Sequence, residues 1–273
     1  MNLDSLTIQH SVAVVFFIAF AAAVGSFINV VVYRLPRMLM AADDPKAYAD
    51  QLPLSLAMPK SHCPACQQSL AAWHLIPVVS WLLLRGRCHF CHAAVSARYP
   101  IVELSCILLG LFLLKQFGFT WPTIAWCGFS WALVALVCID WEHGILPDEI
   151  TYPLLWSGLL VNASLELVPL NDAVIGAVSG YGMLWILFWS FKLITGKEGL
   201  GYGDFKLLAA LGGWLGWQTL PSLLTLAAAL GLLTALGLRL FDKIRLDQAI
   251  PFGPFLAVAA WVLLWLRDSF VFF

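Results

Sequence analysis

Long uncharged stretches set the pattern of this chain. Ser11–Tyr33 runs 23 residues without a charge, and at about 1.5 Å per residue that is enough to cross a hydrocarbon core of about 30 Å. Phe119–Ile139 and Ala173–Phe191 are equally clean. Tyr99–Leu114 is shorter and carries Glu103, Ile150–Leu165 follows Pro147, and Ile250–Leu266 closes the chain. Leu207–Leu238 is uncharged over 32 residues, about 48 Å as one helix, which overshoots the core. Gly216, Gln218, Pro221 and Ser222 offer a turn in its middle, so this run predicts two helices. The pattern predicts an all-α polytopic membrane protein with about eight transmembrane helices.

Composition agrees. Of 273 residues, 61% are hydrophobic and only 11% charged, against roughly 25% charged in a soluble domain. No basic nucleic-acid patch and no internal repeat is present. The N-terminus lacks the basic region of a secretory signal, and its apolar run is too long for one. The placement of Lys and Arg predicts orientation. Seven lie in 34–98: Arg34, Arg37, Lys46, Lys60, Arg85, Arg87 and Arg98. With eight alternating spans, Lys192, Lys197, Lys206, Arg239, Lys243 and Arg245 join that side, and only Lys115 and Arg267 fall opposite. The 34–98 side is therefore expected to be cytoplasmic and both termini periplasmic. The domain reading is a first transmembrane helix at 1–33, a cytoplasmic loop at 34–98, and a seven-helix membrane domain at 99–273.

The 34–98 loop is the one sizeable polar region. It opens with a stretch expected to be loosely structured, Met38–Lys60, and then carries Cys63-Pro-Ala-Cys66 and Cys88-His-Phe-Cys91. Two CxxC knuckles at this separation resemble a four-thiolate zinc ribbon, with Cys63, Cys66, Cys88 and Cys91 as ligands of a structural ion. The alternatives are two disulfides, which a reducing cytoplasm disfavours, or no metal. His62, His89 and His92 read as polar loop residues, since four thiols already fill a tetrahedral site. Cys106, Cys127 and Cys138 read as small buried residues of helices. Between the knuckles, His74–Leu84 is apolar but too short to span, so it lies on the membrane surface or packs beneath the ribbon.

Two aspartates stand at the edges of the apolar runs, in Cys138-Ile139-Asp140-Trp141 and Gly201-Tyr202-Gly203-Asp204. Ionisable groups there are costly and mark sites or pathways. The eight-span topology puts both at one membrane face. Paired carboxyls that meet suggest aspartic-protease chemistry, in which they share a proton and activate water. Each also has a plain reading: Asp204 as a helix N-cap, and Asp140, Asp148 and Glu149 as interfacial charges. The glycine-rich Gly196–Gly203 lets backbone approach an extended substrate.

At these positions the chain resembles a known family. Gly201-Tyr202-Gly203-Asp204-Phe205-Lys206 is similar to the signature of GxGD membrane aspartic peptidases. Beside it stand Gly25-Ser26-Phe27-Ile28-Asn29-Val30-Val31-Val32-Tyr33-Arg34-Leu35-Pro36, the two knuckles, Asp140 with Leu146-Pro147-Asp148, and Pro251-Phe252-Gly253-Pro254. In that order they resemble the bifunctional type IV prepilin peptidases/N-methyltransferases of Gram-negative bacteria. The resemblance implies an inner-membrane enzyme that cuts the basic leader of prepilins and type II secretion pseudopilins after a glycine. It then methylates the new N-terminal residue, commonly phenylalanine, with S-adenosylmethionine. It also implies Asp140 and Asp204 as the catalytic pair, with Gly201, Gly203, Asp148 and Glu149 as substrate-side or supporting residues. No methyl-donor motif is recognisable. Gly25–Pro36 and the cysteine loop are where the resemblance points for that step.

The expected chemistry is hydrolysis without a covalent intermediate: one carboxylate takes a proton from water, the other polarises the scissile carbonyl. Asp204 opens a helix and Asp140 closes one, so the helix dipoles favour Asp204 as base and Asp140 as acid. Glu142, Asp148, Glu149 and Glu198 are placed to attract a basic leader, or are simply solvated loop charges. A transporter or channel with aspartate ion sites would work without cleavage and give no reason for a zinc ribbon. A zinc-binding membrane scaffold would tolerate loss of both aspartates.

Overall fold

The structure is a computed structural model that describes residues 3–44, 54–197, 199–240 and 250–270. Among them the regular elements are helices, with two isolated β-bridges in the cysteine loop. They are α1 (Leu3–Asp43), α2 (Val79–Leu83), α3 (Arg98–Phe117), α4 (Trp121–His143), α5 (Asp148–Leu165), α6 (Leu170–Thr195), α7 (Tyr202–Leu215), α8 (Leu220–Leu240) and α9 (Gly253–Phe270). Local sequence sets many of their ends. Pro147 and Pro169 cap α5 and α6, and Pro100, Pro122, Pro221 and Pro254 sit in first turns, where no intrahelical donor is lost.

This is a multi-pass membrane protein. Five stretches among the described residues are long and apolar enough to cross a bilayer: Ser11–Asp43, Arg98–Phe117, Trp121–His143, Leu170–Thr195 and Trp217–Leu240. The sequence reading counted eight spans. The other three fall on α5, which begins with Asp148 and Glu149, on α7, which has 14 residues, and on Gly253–Leu266 of α9. The predicted break in the 207–238 run is real. Gly216 takes φ +83°, a turn spans Trp217–Thr219, and α8 starts at Leu220.

The first helix outruns its prediction. It continues past Tyr33, through Pro36, to Asp43, so the loose stretch expected at Met38–Lys60 begins later. Pro36 brings no N–H to the ladder and its ring crowds the Val32 carbonyl, yet the helix continues. The buried Arg34 guanidinium donates to the carbonyls of Ser55 (2.8 Å), Leu56 (3.3 Å) and Pro59 (2.6 Å), so the returning chain is tied to the helix. Lys46, Glu198, Lys243 and Arg245 lie outside the described residues.

Packing divides the chain into two units, Met1–Ala135 and Leu136–Phe273, with the division inside α4. The sequence-based boundary after residue 98 marks instead where the polar loop ends. In the first unit α1 packs along α3 and the cysteine loop is carried between them in sequence. In the second, α7 is the centre: α5, α6 and α9 all pack on it, and every residue from Asp204 to Leu215 except Lys206 is buried. A Cβ on Gly180 of α6 would come 2.6 Å from the Leu208 carbonyl oxygen, so α6 and α7 meet backbone to backbone.

Candidate active site

In the second unit, the last turn of α4 carries Asp140 and the first turn of α7 carries Asp204. Both are buried, 5% and 7% exposed, which sets them apart from ordinary interfacial charges. They lie within electrostatic reach of one another. Asp204 is not the helix cap. Gly201 holds that position, and Asp204, three residues on, accepts the Gly201 N–H at 3.2 Å, one half of a capping box. Asp140 Oδ2 accepts the Gly253 N–H at 3.0 Å, from the first residue of α9. Each carboxyl is thus aimed by a glycine amide and keeps its remaining oxygen lone pairs for a substrate or water.

Leu146 wedges between the two glycine segments. A Cβ on Gly203 would lie 2.8 Å from Leu146 Cβ, and one on Gly253 would lie 3.2 Å from Leu146 Cδ2. The Gly-x-Gly-Asp and Pro-Phe-Gly-Pro segments therefore close on the same leucine. Asp148, at the start of α5, is bound by both its oxygens to Lys206 Nζ at 2.6 and 2.8 Å. Lys206 stands two residues after Asp204, so this half-exposed pair ties α5 to the α7 start; a pair this exposed contributes about 0–1 kcal/mol. Glu149 is exposed, as is Glu142. Sequence reasoning noted Pro251–Pro254 as a motif but assigned Gly253 no role; the motif's position just before an apolar run was the available signal.

In the first unit the four knuckle cysteines converge. The sulfurs of Cys63, Cys66, Cys88 and Cys91 all lie within 4.8 Å of one another, with Cys63 and Cys91 3.8 Å apart. Tetrahedral zinc with bonds of about 2.3 Å spaces its sulfurs by about 3.8 Å, so the donor set fits that ion. The knuckles are built alike. Gln67 and His92 follow them at positive φ, 59° and 56°, and donate to the Cys63 and Cys88 carbonyls. Cys63 and Cys88 N–H groups donate to Gln68 and Ala93. The Cys91 and Phe90 amides point at the Cys88 sulfur and pull its thiol down to about 7, which favours the thiolate a metal needs. All seven cysteines are unpaired by disulfide. His89 stacks with Trp73, His74 and Phe90 instead of joining the sulfurs.

The type IV leader peptidase family profile matches residues 127–236, and the bacterial peptidase A24 N-terminal domain matches residues 19–117. A prepilin leader peptidase/N-methyltransferase of Aeromonas salmonicida (strain A449) is 48% identical over 261 residues, covering 92% of this chain and 89% of the relative. The chain belongs to the type IV leader peptidase family. Relatives of the same description from Stutzerimonas stutzeri and Pseudomonas aeruginosa are 46% and 45% identical over 251 residues, each covering 89% of this chain and 87% of the relative. No solved structure matches the chain. The two profile matches fall on the two parts just described: the first on α1 to α3 with the cysteine cluster, the second on the stretch bearing both aspartates.

Proposed function

We propose that this chain is a prepilin leader peptidase and N-methyltransferase of the bacterial inner membrane. It removes the leader of type IV prepilins and type II secretion pseudopilins and then methylates the exposed amine. What supports the peptidase half is a pair of buried aspartates within electrostatic reach of one another, each accepting a glycine N–H, in a family of leader peptidases. In the first step one carboxylate, Asp204 by its place at a helix start, takes a proton from water. Asp140, protonated, hydrogen-bonds the scissile carbonyl. The water oxygen attacks the carbonyl carbon, and the amine leaves with a proton from the pair. The pair titrates as a unit, so the roles exchange through the cycle. Gly201 lets an extended backbone approach and Gly203 supports the site by closing on Leu146, while Asp148 braces the start of α7 through Lys206 and Glu149 offers charge to a basic leader.

Zinc on Cys63, Cys66, Cys88 and Cys91 would hold the loop's fold, a structural role suited to a closed four-thiolate set. S-adenosylmethionine supplies an electrophilic methyl group on a sulfonium. The charge distribution supports eight spans, a cytoplasmic 34–98 loop and periplasmic termini. The test is incubation of the detergent-purified protein with a prepilin, read by mass spectrometry for leader loss and a gain of one CH2 unit. Asp140→Asn and Asp204→Asn should each lower leader removal on the order of 10²-fold or more, with the protein inserted and zinc-loaded. Cleavage by either variant at close to the wild-type rate refutes the dyad.

A further inference from the structure

The first unit holds a third buried carboxylate, one that the proposed cleavage does not use. Glu103 lies in the second turn of α3, 6% exposed, where α1 presses closest: a Cβ on Gly25 would come 2.7 Å from the Glu103 Cα. Its carboxylate accepts the Val78 N–H at 2.7 Å and a hydrogen bond from the Ser26 side chain. Among the described residues no lysine or arginine pairs with it. An ionisable group in a membrane-spanning helix with no counter-ion marks a functional site.

One turn along α1 stands Asn29, 2% exposed. Its amide orientation is fixed by its partners. Nδ2 donates to the carbonyls of Gly25 (3.3 Å) and Tyr99 (3.1 Å), and a carbonyl accepts only from the nitrogen end. The Oδ1 atom is thereby turned away from both, and it is a buried acceptor with no donor among the described residues. Such a group is costly unless something completes it. Val78 adds strain. It is β-branched yet sits at φ +60°, a conformation such residues rarely take, and its N–H is held there by Glu103.

Gly25, Asn29 and Glu103, all buried, therefore cluster with Ser26 and Tyr99, and the acceptor capacity left over belongs to Asn29 Oδ1 and the Glu103 carboxylate. The ligand chemistry that matches is a cation with several N–H donors. Ser26 and Tyr99 are only half-buried, so the cluster reaches the surface on their side. We propose that this cluster binds the free N-terminal amine of the cleaved chain, with Glu103 as the group that takes its proton before methyl transfer. The proposal rests on the methyl-transfer half of the function above.

The step balances. The ammonium passes one proton to the Glu103 carboxylate. The neutral amine's lone pair bonds the methyl carbon of the sulfonium donor, and the carbon–sulfur bond breaks with its electrons on sulfur. The methylated ammonium leaves, and Glu103 returns its proton to water. Asn29 Oδ1 and Ser26 orient the nitrogen by accepting its other N–H groups.

Glu103→Gln separates this role from a purely structural one, because the glutamine oxygen can still accept the Val78 N–H while the side chain can no longer take a proton. Two readouts are taken on the full-length protein. The first is methyl transfer from S-adenosylmethionine to a synthetic peptide with the mature pilin N-terminus, beside leader cleavage in the same preparation. The second is binding of that peptide against its N-acetylated form. The expected result is cleavage at the wild-type rate and methyl transfer lowered on the order of 10²-fold, as for a lost general base. Wild type should bind the free amine at least about tenfold more tightly than the acetylated form, and the variant should lose that preference. Unchanged methyl transfer, or an unchanged preference for the free amine, makes Glu103 a strut for Val78 and overturns the proposal. Parallel loss of cleavage and methyl transfer also overturns it, since a distinct amine site spares cleavage. A wild-type protein that neither cuts nor methylates refutes the proposed function instead, and the binding comparison still tests the cluster.

Discussion

Replacing Gly253 by alanine probes the proposed catalytic geometry without replacing either aspartate. The new methyl group would stand 2.5 Å from Asp140 Oδ2, where ordinary contact begins at 3.4 Å. The carboxylate must retreat by about 0.9 Å, since the other neighbour, Leu146 Cδ2 at 3.2 Å, leaves the methyl little room to move instead. A displacement of about 1 Å costs about 10²-fold in rate, or about 2.7 kcal/mol of barrier. Gly253→Ala should therefore lower kcat for prepilin cleavage about 10²-fold and leave KM nearly unchanged, because the change acts on the reacting group. Zinc content and thermal unfolding should match wild type. Gly182→Ala is the control: nothing lies within 4 Å of its Cβ, so activity should hold. A Gly253→Ala enzyme with wild-type kcat would show that Asp140 is not held where the glycine amide puts it.

Two further outcomes follow from packing and ligation. Gly180→Ala should destabilise the protein by about 1–3 kcal/mol, because its Cβ would sit 2.6 Å from a backbone oxygen of α7 and helices do not part cheaply; thermal melting in detergent reads this, and an unchanged midpoint contradicts the close approach. Protein purified without chelator should carry one zinc per chain by metal analysis, and Cys88→Ser should lower that content and loosen the loop to proteolysis, whereas zinc-free protein with four reactive knuckle thiols would remove the metal reading.

What the sequence reveals here is what repeats or punctuates. The longer helices from α3 to α9 follow apolar runs, and Gly216 with Pro221 announces the break between α7 and α8. The knuckles are legible because a CxxC turn is a local structure whose spacing carries its geometry. The aspartates are legible from their costly positions at the edges of apolar runs. The end of α1 is not, because Arg34 and Pro36 look like a helix stop, while Arg34's partners at Ser55, Leu56 and Pro59 lie beyond a loop. The Gly253 bond to Asp140 spans 113 positions, and Asn29 reaches Tyr99 across 70. Contacts of that range leave no period in a single chain, so only folding discloses them.

The shortness of α7 bears on the proposed reaction. Its 14 residues make about 21 Å of helix, less than a hydrocarbon core of about 30 Å. Beyond its far end Trp217 and Gln218 hydrogen-bond Asp172 in a polar knot. The ring of Phe188 on α6 meets Tyr202 and Phe205, and α6 runs on to Thr195, about 10 Å further. Asp204, in the first turn of α7, thus lies short of the end of its neighbour α6. A helical substrate must unwind to expose one peptide bond, and bare amides in lipid cost several kcal/mol each. If Asp140 and Asp204 cut the substrate as proposed, the water that attacks the carbonyl would also solvate the backbone opened to receive it.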